Sequence, residues 1–243
     1  MTDDENRTRD DAKVALVTGA GGGAAPAVVA ALRERGWRVA LLDRPGKEAR
    51  LRERYDVRDG DERVAAFGAD LADDEGASAA VKHVLARFGA VDAVLNLAGG
   101  FATGKAHEAG LDALERMLTV NLRTAVATTR AVLPSMLERG RGAVVGIAAA
   151  AASNPAPGMA HYAASKAAVA AYFRSVAAEV ADGGIDVVVL FPMSAIDTPA
   201  NREGMPNADT SEWIAPEALA EAVLFLLERP ARGKVRELEL RGG

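Results

Sequence analysis

Short apolar runs alternate along the chain with longer segments of helical periodicity. Runs rich in Val, Leu and Ala predict strands at residues 14–17, 38–42, 64–68, 93–96, 143–147, 186–190 and 235–240. The segments between them predict helices at residues 24–35, 73–88, 111–139, 158–181 and 216–228. Strands and helices that alternate in this way form βαβ units, and such units build a parallel sheet.

This alternation predicts an α/β fold, a single Rossmann-type, doubly wound sheet of seven parallel strands with helices on both faces. We expect one domain over residues 13–243, preceded by a flexible tail at residues 1–12 whose side chains are mostly polar or charged. Residues 194–215 contain Pro199 and Pro206 and lack a clear period. They are expected to form a loop with helical turns that covers the substrate.

Composition narrows the classes of function. The chain has no cysteine and only three scattered histidines, so no metal site is predicted. Its net charge of −5 disfavours nucleic acid as a partner, and the Arg-rich stretch at residues 50–58 alternates with acids and is expected to be solvated surface. Apolar runs fall short of the roughly 18 residues of a membrane span. We expect a soluble, cytoplasmic protein that acts on a small molecule.

Glycines follow the first predicted strand directly and precede the first predicted helix. At such a turn the backbone amides can approach a pyrophosphate, and the N-terminus of the next helix favours its negative charge. The strand before and the helix after give this motif its weight, because glycine-rich turns alone are common. The predicted phosphate-binding residues are Gly19, Gly21, Gly22 and Gly23.

Asp43 closes the second predicted strand, 20 residues after Gly23. A carboxylate at this point can accept hydrogen bonds from the ribose hydroxyls of adenosine and repel a 2′-phosphate. NAD(H) is therefore predicted as the cofactor in preference to NADP(H). Arg44 is an opposing signal, because a base beside this position could hold a 2′-phosphate, and a solvated strand end is the alternative interpretation of Asp43.

Tyr162 and Lys166 lie four residues apart on a predicted helix, so their side chains share one face. A tyrosine hydroxyl is a poor acid, with an ordinary pKa near ~10. A neighbouring ammonium and a positively charged nicotinamide both favour the phenolate, so we expect a lowered pKa for Tyr162. Lys166 can also reach the nicotinamide ribose. The alternative is an ordinary amphipathic helix.

In order and spacing the chain resembles the short-chain dehydrogenase/reductase family over nearly its whole length. The matching residues are Thr18, Gly19, Gly23, Asp70, Leu71, Asn96, Leu97, Ala98, Gly99, Asn121, Tyr162 and Lys166. One departure is Ala25, where the family usually has a third glycine.

This resemblance implies roles for residues that the spacing alone does not explain. Asp70 and Leu71 would flank the adenine of the cofactor. Asn121 would hold a water that relays protons to Lys166. Further cofactor contacts are implied at Asn96, Ala98, Gly99, Tyr162, Lys166, Pro192 and Thr198.

The family normally has a serine 13 residues before the tyrosine, and here that position is Ala149. Losing one preorganised donor to a developing oxyanion can cost ~10² to 10³ in rate. The protein is therefore expected to be a feeble carbonyl reductase or to use a substrate that does not need the donor. Ser153 or a water could replace the missing hydroxyl.

Within the family the chain resembles the quinonoid dihydropteridine reductases, which also lack the serine. The resemblance is carried by residues 98–102, 148–152, 156–159 and 197–213, which include Trp213. These enzymes reduce an acceptor that is already electron-poor, which is a physical reason for dispensing with the serine. Asn121, Met193 and the six-residue spacing from Pro192 to Thr198 depart from the expected pattern.

Two other functions remain open at this point. One is a general alcohol or ketone dehydrogenase similar to 3-oxoacyl reductases, and the other is a weakly catalytic, NAD-binding regulatory protein. Trp213 could cover the substrate or only anchor its loop. Small residues on several faces of the predicted helix at residues 158–181 suggest a homodimer or homotetramer packed through this helix and residues 111–139.

Overall fold

A computed structural model of the protein describes residues 12–230 and 233–243, so the predicted tail lies outside it except for Ala12. In this described part, one sheet contains the strands β1 Val14–Thr18, β2 Arg38–Asp43, β3 Val64–Gly68, β4 Ala93–Asn96, β5 Gly142–Ile147, β6 Ile185–Pro192 and β7 Glu237–Leu240. All neighbours are parallel, in the order β3-β2-β1-β4-β5-β6-β7. This confirms the predicted Rossmann-type fold.

The sheet register brings the ends of three strands together. Thr18 at the end of β1 is paired with Leu42 of β2 on one side and with Asn96 of β4 on the other. The chain therefore leaves β1, β2 and β4 side by side at one edge. Strand order reverses between β1 and β4, which is where doubly wound sheets open a crevice for ligands.

Helices connect the strands at α1 Ala25–Glu34, α2 Glu48–Arg54, α3 Asp74–Phe88, α4 Leu111–Leu118, α5 Thr124–Arg139, α6 Ala160–Glu179, α7 Pro199–Gly204 and α8 Pro216–Glu228. A π-helical turn, Thr119–Arg123, joins α4 to α5, so the predicted helix at residues 111–139 is continuous but locally widened.

Helix α2 was not predicted, and α7 lies where only helical turns within a loop were expected; each has a physical reason. In α2 only Leu51 is buried, so the helix shows no apolar stripe. Helix α7 is a single short element of six residues, started by Thr198, whose side chain accepts a hydrogen bond from the Asn201 amide. Pro199 and Pro206 are turn signals, so the sequence pattern did not define a helix in this segment.

The sheet separates two apolar clusters. On one face α3, α5 and α6 cover residues such as Leu16 and Val144, and on the other α1 and α8 cover residues such as Val17 and Leu95. Strand β7 starts at Glu237, two residues later than predicted, and has alternating exposure, as expected for an edge strand. Among the described helices none is sufficiently long and apolar to cross a membrane.

Candidate active site

A cavity of about 610 Å³ opens at the carboxyl edge of the sheet, beside β1, β2 and β4. Eight of the residues that the sequence predicted as cofactor contacts line it. They are Gly19, Gly21, Gly22, Asp43, Asp70, Leu71, Ala98 and Gly99. The phosphate-binding turn and the loop after β4 thus line one cavity.

The glycine-rich turn, residues 19–23, needs glycine for steric reasons. Gly19 has a φ of +64°, and a Cβ there would lie 2.7 Å from the Ala98 Cα. A Cβ on Gly23 would lie 2.7 Å from the Cβ of Thr198, which therefore contacts the turn. The turn leads to Ala24, the N-cap of α1, which has no side-chain oxygen to satisfy the first amides of the helix. This arrangement fits a diphosphate.

Asp43 faces the same turn. Its Oδ2 accepts a hydrogen bond from the Gly21 amide at 2.6 Å, and its Oδ1 accepts one from the Arg44 amide at 2.7 Å. Four basic side chains line the same cavity, namely Arg44, Lys47, Arg50 and Arg54. This part of the cavity therefore combines two acids, Asp43 and Asp70, with several bases.

The loop after β4 is held against the glycine-rich turn through Thr18. The Ala98 amide donates to the Thr18 Oγ1 at 3.1 Å. Asn96 is not among the residues that line the cavity, and its Nδ2 donates within the sheet to the Val145 carbonyl at 3.4 Å. Asn96 is buried between β4, β5 and α5, and Leu97 to Gly99 form the cavity wall in its place.

Tyr162 lies in the first turn of α6, next to an exposed aromatic ring. Phe101, which is 43% exposed, packs its ring edge-on against that of Tyr162, with centroids 4.9 Å apart. Burial raises the pKa of the Tyr162 phenol to about 12. The expectation of a lowered pKa is therefore wrong for the protein chain by itself, because desolvation outweighs any effect of Lys166.

Lys166 is buried one turn further along α6. Its Nζ donates to the Ile147 carbonyl at 2.9 Å, at the end of β5, and burial lowers the pKa of this ammonium from 10.5 to about 8. A Cβ placed on Gly99 would lie 3.6 Å from this Nζ. Lys166 is thus adjacent to the wall of the cavity that holds the predicted cofactor contacts.

Asn121 sits in the π-helical turn and joins three elements. Its Oδ1 accepts from the Gly100 amide at 2.9 Å, and its Nδ2 donates to the Gly100 carbonyl and to the Ser165 Oγ, both at 3.0 Å. The Ser165 hydroxyl in turn donates to the Tyr162 carbonyl at 2.7 Å. Asn121 therefore fixes the loop after β4 relative to the helix that carries Tyr162.

The candidate substrate residues are less closely connected. Ala149 is buried before a 3₁₀ turn, Ala150–Ala152, and Ser153 is exposed at the end of that turn. Trp213 is half-buried, and the next residue, Ile214, bridges to Ile196. These contacts show an anchored loop and do not place the Trp213 ring over Tyr162.

Pro192 is the last residue of β6, paired with Leu240 of β7. Thr198, the predicted cofactor contact in the segment after β6, lies against Gly23 of the glycine-rich turn. No group of three or more potential metal ligands occurs in the described ranges.

Sequence reasoning missed several residues of the site. Ser165 precedes Lys166 and is fully buried, which nothing in the pattern of small residues along α6 indicates. Arg54 and Tyr55 donate hydrogen bonds to the Gly21 and Ala20 carbonyls, so part of the Arg-rich stretch that was expected to be solvated surface contacts the glycine-rich turn. These contacts span more than 30 positions of the sequence, 33 for Arg54 and 35 for Tyr55.

Known proteins are similar to this chain over most of its length. A family model described as short chain dehydrogenase matches residues 13–208. An uncharacterized oxidoreductase of Staphylococcus saprophyticus is 30% identical over 231 residues, which is 94% of this chain and 97% of that protein. An uncharacterized oxidoreductase of Staphylococcus aureus strain MW2 is 29% identical over 229 residues, 94% of this chain and 96% of that one.

Solved structures share the fold over nearly the full length. The NADH complex of 3-ketoacyl-(acyl-carrier-protein) reductase from Brucella melitensis has a TM-score of 0.81 at 28% identity, covering 95% of this chain and 97% of that one. An alcohol dehydrogenase from Thermococcus sibiricus in complex with 5-hydroxy-NADP has a TM-score of 0.80 at 29% identity, covering 95% and 96%. An NAD⁺-bound xylitol dehydrogenase has a TM-score of 0.82 at 25% identity, covering 95% and 98%.

Proposed function

Because the chain belongs to the short-chain dehydrogenase family, we propose that it is an NAD(H)-dependent reductase of an electron-poor, conjugated acceptor resembling a quinonoid dihydropteridine. One observation carries the choice of acceptor. Ala149 stands where the family usually has the serine that polarises a carbonyl, and the nearest hydroxyl along the chain, on Ser153, is exposed beyond the 3₁₀ turn. A conjugated acceptor does not depend on that donor.

The cavity supports a nicotinamide dinucleotide as the cofactor. The amides at the start of α1 would hold its diphosphate, the glycine-rich turn would let it approach the backbone closely, and Asp43 would accept hydrogen bonds from the adenosine ribose. Among the similar structures, one contains NADH and another a modified NADP. Asp43 favours NADH, because a 2′-phosphate beside this carboxylate would bring two negative charges together.

The chain's own residues would manage the proton. The bound cofactor supplies the hydride. Tyr162 keeps its proton at neutral pH, because burial raises the pKa of its phenol to about 12, and it is therefore a proton donor to the reduced acceptor. The buried Lys166 ammonium would stabilise the phenolate that remains, and Asn121 with Ser165 would hold the position of Tyr162.

The surroundings of Tyr162 also support a flat acceptor. Phe101 presents an exposed aromatic ring at 88° to the Tyr162 ring, and the 3₁₀ turn Ala150–Ala152, which packs against α6, carries only methyl groups. Aromatic rings and methyl groups favour contact with a conjugated heterocycle over contact with a polar open chain.

A second candidate function is an alcohol or ketone dehydrogenase. It is favoured by the similarity to the Brucella reductase and the Thermococcus alcohol dehydrogenase, each of which is named for such chemistry. In that function Ser153 or a water would polarise the carbonyl.

The experiment that tests the proposed function is NADH oxidation in the presence of freshly generated quinonoid dihydropterin, with NADPH and Tyr162→Phe as comparisons. We expect turnover with NADH, less with NADPH, and a large loss in the Tyr162→Phe variant. Equal rates in the wild type and this variant would contradict the assignment of Tyr162, and a preference for NADPH would contradict the role of Asp43.

A further inference from the structure

Two successive side chains at the end of α2 donate to two successive carbonyls of the glycine-rich turn. Arg54 Nη1 donates to the Gly21 carbonyl oxygen, and Tyr55 Oη donates to the Ala20 carbonyl oxygen, each at 2.6 Å. Distances of this length are at the short end for hydrogen bonds between protein groups. The turn that follows β1 is thus bound by two residues at the end of the helix that follows β2.

The donor on Tyr55 is permanent at physiological pH. Tyr55 is 7% exposed, and burial raises the pKa of its phenol to about 12, so the hydroxyl keeps its proton. The end of α2 is itself fixed, since Arg33 of α1 donates to the Tyr55 carbonyl at 3.0 Å and Leu51 is buried in the core. Tyr55 is therefore a rigid support.

The peptide groups of the turn are satisfied on both sides. The Ala20 amide donates to the Leu42 carbonyl at 3.0 Å, and the Gly21 amide donates to Asp43 Oδ2 at 2.6 Å. Because Arg54 and Tyr55 donate to their carbonyls, Ala20 and Gly21 each have both the amide and the carbonyl group hydrogen-bonded. Glycine backbones lose much conformational freedom when they are ordered, so a turn that is already fixed binds its ligand at a smaller entropic cost.

The hydrogen bonds to the two carbonyls also matter for charge. A carbonyl oxygen near a diphosphate repels it, and a hydrogen bond from a donor offsets part of the negative partial charge on that oxygen. Arg54 adds a positive charge that lines the cavity together with Arg44 and Arg50. Long-range attraction of an anionic ligand follows from such a cluster.

We propose that Arg54 and Tyr55 are positioning residues that hold the glycine-rich turn in the conformation that binds the diphosphate of the cofactor. This inference rests on the proposed dinucleotide binding but is independent of the acceptor. Neither residue touches the reacting atoms, so their effect is on affinity for the cofactor.

The test compares Tyr55→Phe and Arg54→Ala with Arg52→Ala as a matched control. Arg52 lies on the same helix, is exposed, and pairs with Asp59 at 2.7 Å away from the turn. Dissociation constants for NADH and ADP-ribose are measured by fluorescence and calorimetric titration, which require no acceptor. Thermal melts of each variant without ligand show whether it is folded.

We expect Tyr55→Phe and Arg54→Ala each to weaken binding of NADH and ADP-ribose by about threefold to tenfold, the range of one hydrogen bond. In steady-state assays the loss would fall on KM for NADH, with kcat nearly retained, and Arg52→Ala would bind like the wild type. Unaltered affinities in both folded variants would overturn the inference while leaving the proposed function intact. Absence of ADP-ribose binding by the wild type would overturn both.

Discussion

The two ends of the site are built in different ways. At the cofactor end, backbone groups of the glycine-rich turn are engaged by Asp43, Arg54 and Tyr55, and charged side chains line an open cavity. At the chemical end, Tyr162 is half-buried against Phe101 and Lys166 is buried, and burial changes the pKa of both.

This difference assigns cofactor affinity to one end and the choice of acceptor to the other in the proposed function. In the proposed function, cofactor binding depends on the backbone of the glycine-rich turn and on the side chains that hold it. In the proposed function the chemical end depends on a few side chains, and the absence of a hydroxyl at Ala149 would restrict the acceptors that it can reduce. Variants at the two ends should therefore separate binding from turnover.

The largest effect is expected for Tyr162→Phe. Removing a general acid typically costs ~10² to 10⁴ in rate, so kcat should fall by that factor while the dissociation constant for NADH changes by less than about threefold. Stopped-flow single-turnover rates and fluorescence titrations measure the two quantities. Tyr172→Phe on the same helix is the control and should keep its rate, and a rate for Tyr162→Phe near that of the wild type would refute the role of Tyr162.

A change at the cofactor end should have the opposite pattern. In Gly19→Ala the new Cβ would meet the Ala98 backbone at 2.7 Å and occupy a left-handed conformation, so the turn must move. We expect NADH affinity to fall by roughly 100-fold, about 3 kcal/mol.

The control for this variant is Gly36→Ala. Gly36 also has a positive φ, +81°, but a Cβ there meets nothing within 4 Å. This variant should lose some stability through backbone strain and still bind NADH like the wild type. Similar affinity losses in both variants would mean that strain, and not the contact with Ala98, decides binding.

Ala149→Ser tests the chemical end directly. If the missing hydroxyl restricts the acceptor, restoring it should raise kcat/KM for small ketones by about tenfold, less than a fully preorganised donor provides. The rate with quinonoid dihydropterin should change by less than about twofold. Ala152→Ser, three positions away in the same segment, is the matched control. A gain in ketone reduction in both variants would show that the effect does not depend on position 149.

The smallest effect is expected on stability. The folded pKa of Lys166, about 8, lies below the ordinary value of 10.5, so the folded state disfavours this ammonium at pH 7. Between these two values the unfolded chain keeps a proton that the folded chain has released, so wild-type stability rises with pH across this window. Lys166→Met removes the buried charge, which destabilises the folded state by about 3 kcal/mol at pH 7, but it also removes the hydrogen bond to Ile147.

The net expectation for Lys166→Met is a free energy of unfolding about 1 kcal/mol higher at pH 7, with the gain disappearing as the pH rises from 8 to 10. Urea denaturation at several pH values measures it. Lys82→Met, at an exposed position of α3, should show no such pH dependence. A stability difference for Lys166→Met that stays constant with pH would show that the Lys166 pKa is not lowered.

The strands and most helices could be predicted from the sequence because their apolar patterns follow burial closely. Strand β1, for example, is buried at every position. Helix α2 escaped prediction because Leu51 alone is buried in it. The motifs around Gly19, Asp43, Tyr162 and Lys166 were identified because each occupies a fixed place relative to a strand or helix.

Contacts between distant segments could not be predicted. Neither the hydrogen bonds from Arg54 and Tyr55 to the glycine-rich turn nor the link from Asn121 to Ser165 has a signal in local spacing. For the protein chain by itself, the pKa of Tyr162 was predicted in the wrong direction, because its burial depends on how α6 packs and cannot be read from the residues beside it.

The most direct test of the account is the ratio of kcat/KM for quinonoid dihydropterin to kcat/KM for a panel of small ketones, measured with NADH on the wild-type protein. An acceptor that needs no polarising hydroxyl should be preferred, so we predict a ratio of at least ~10², the rate cost of one missing oxyanion donor. A ratio below one, with ketones reduced rapidly despite Ala149, would contradict the proposal that the chemical end is built for an electron-poor acceptor.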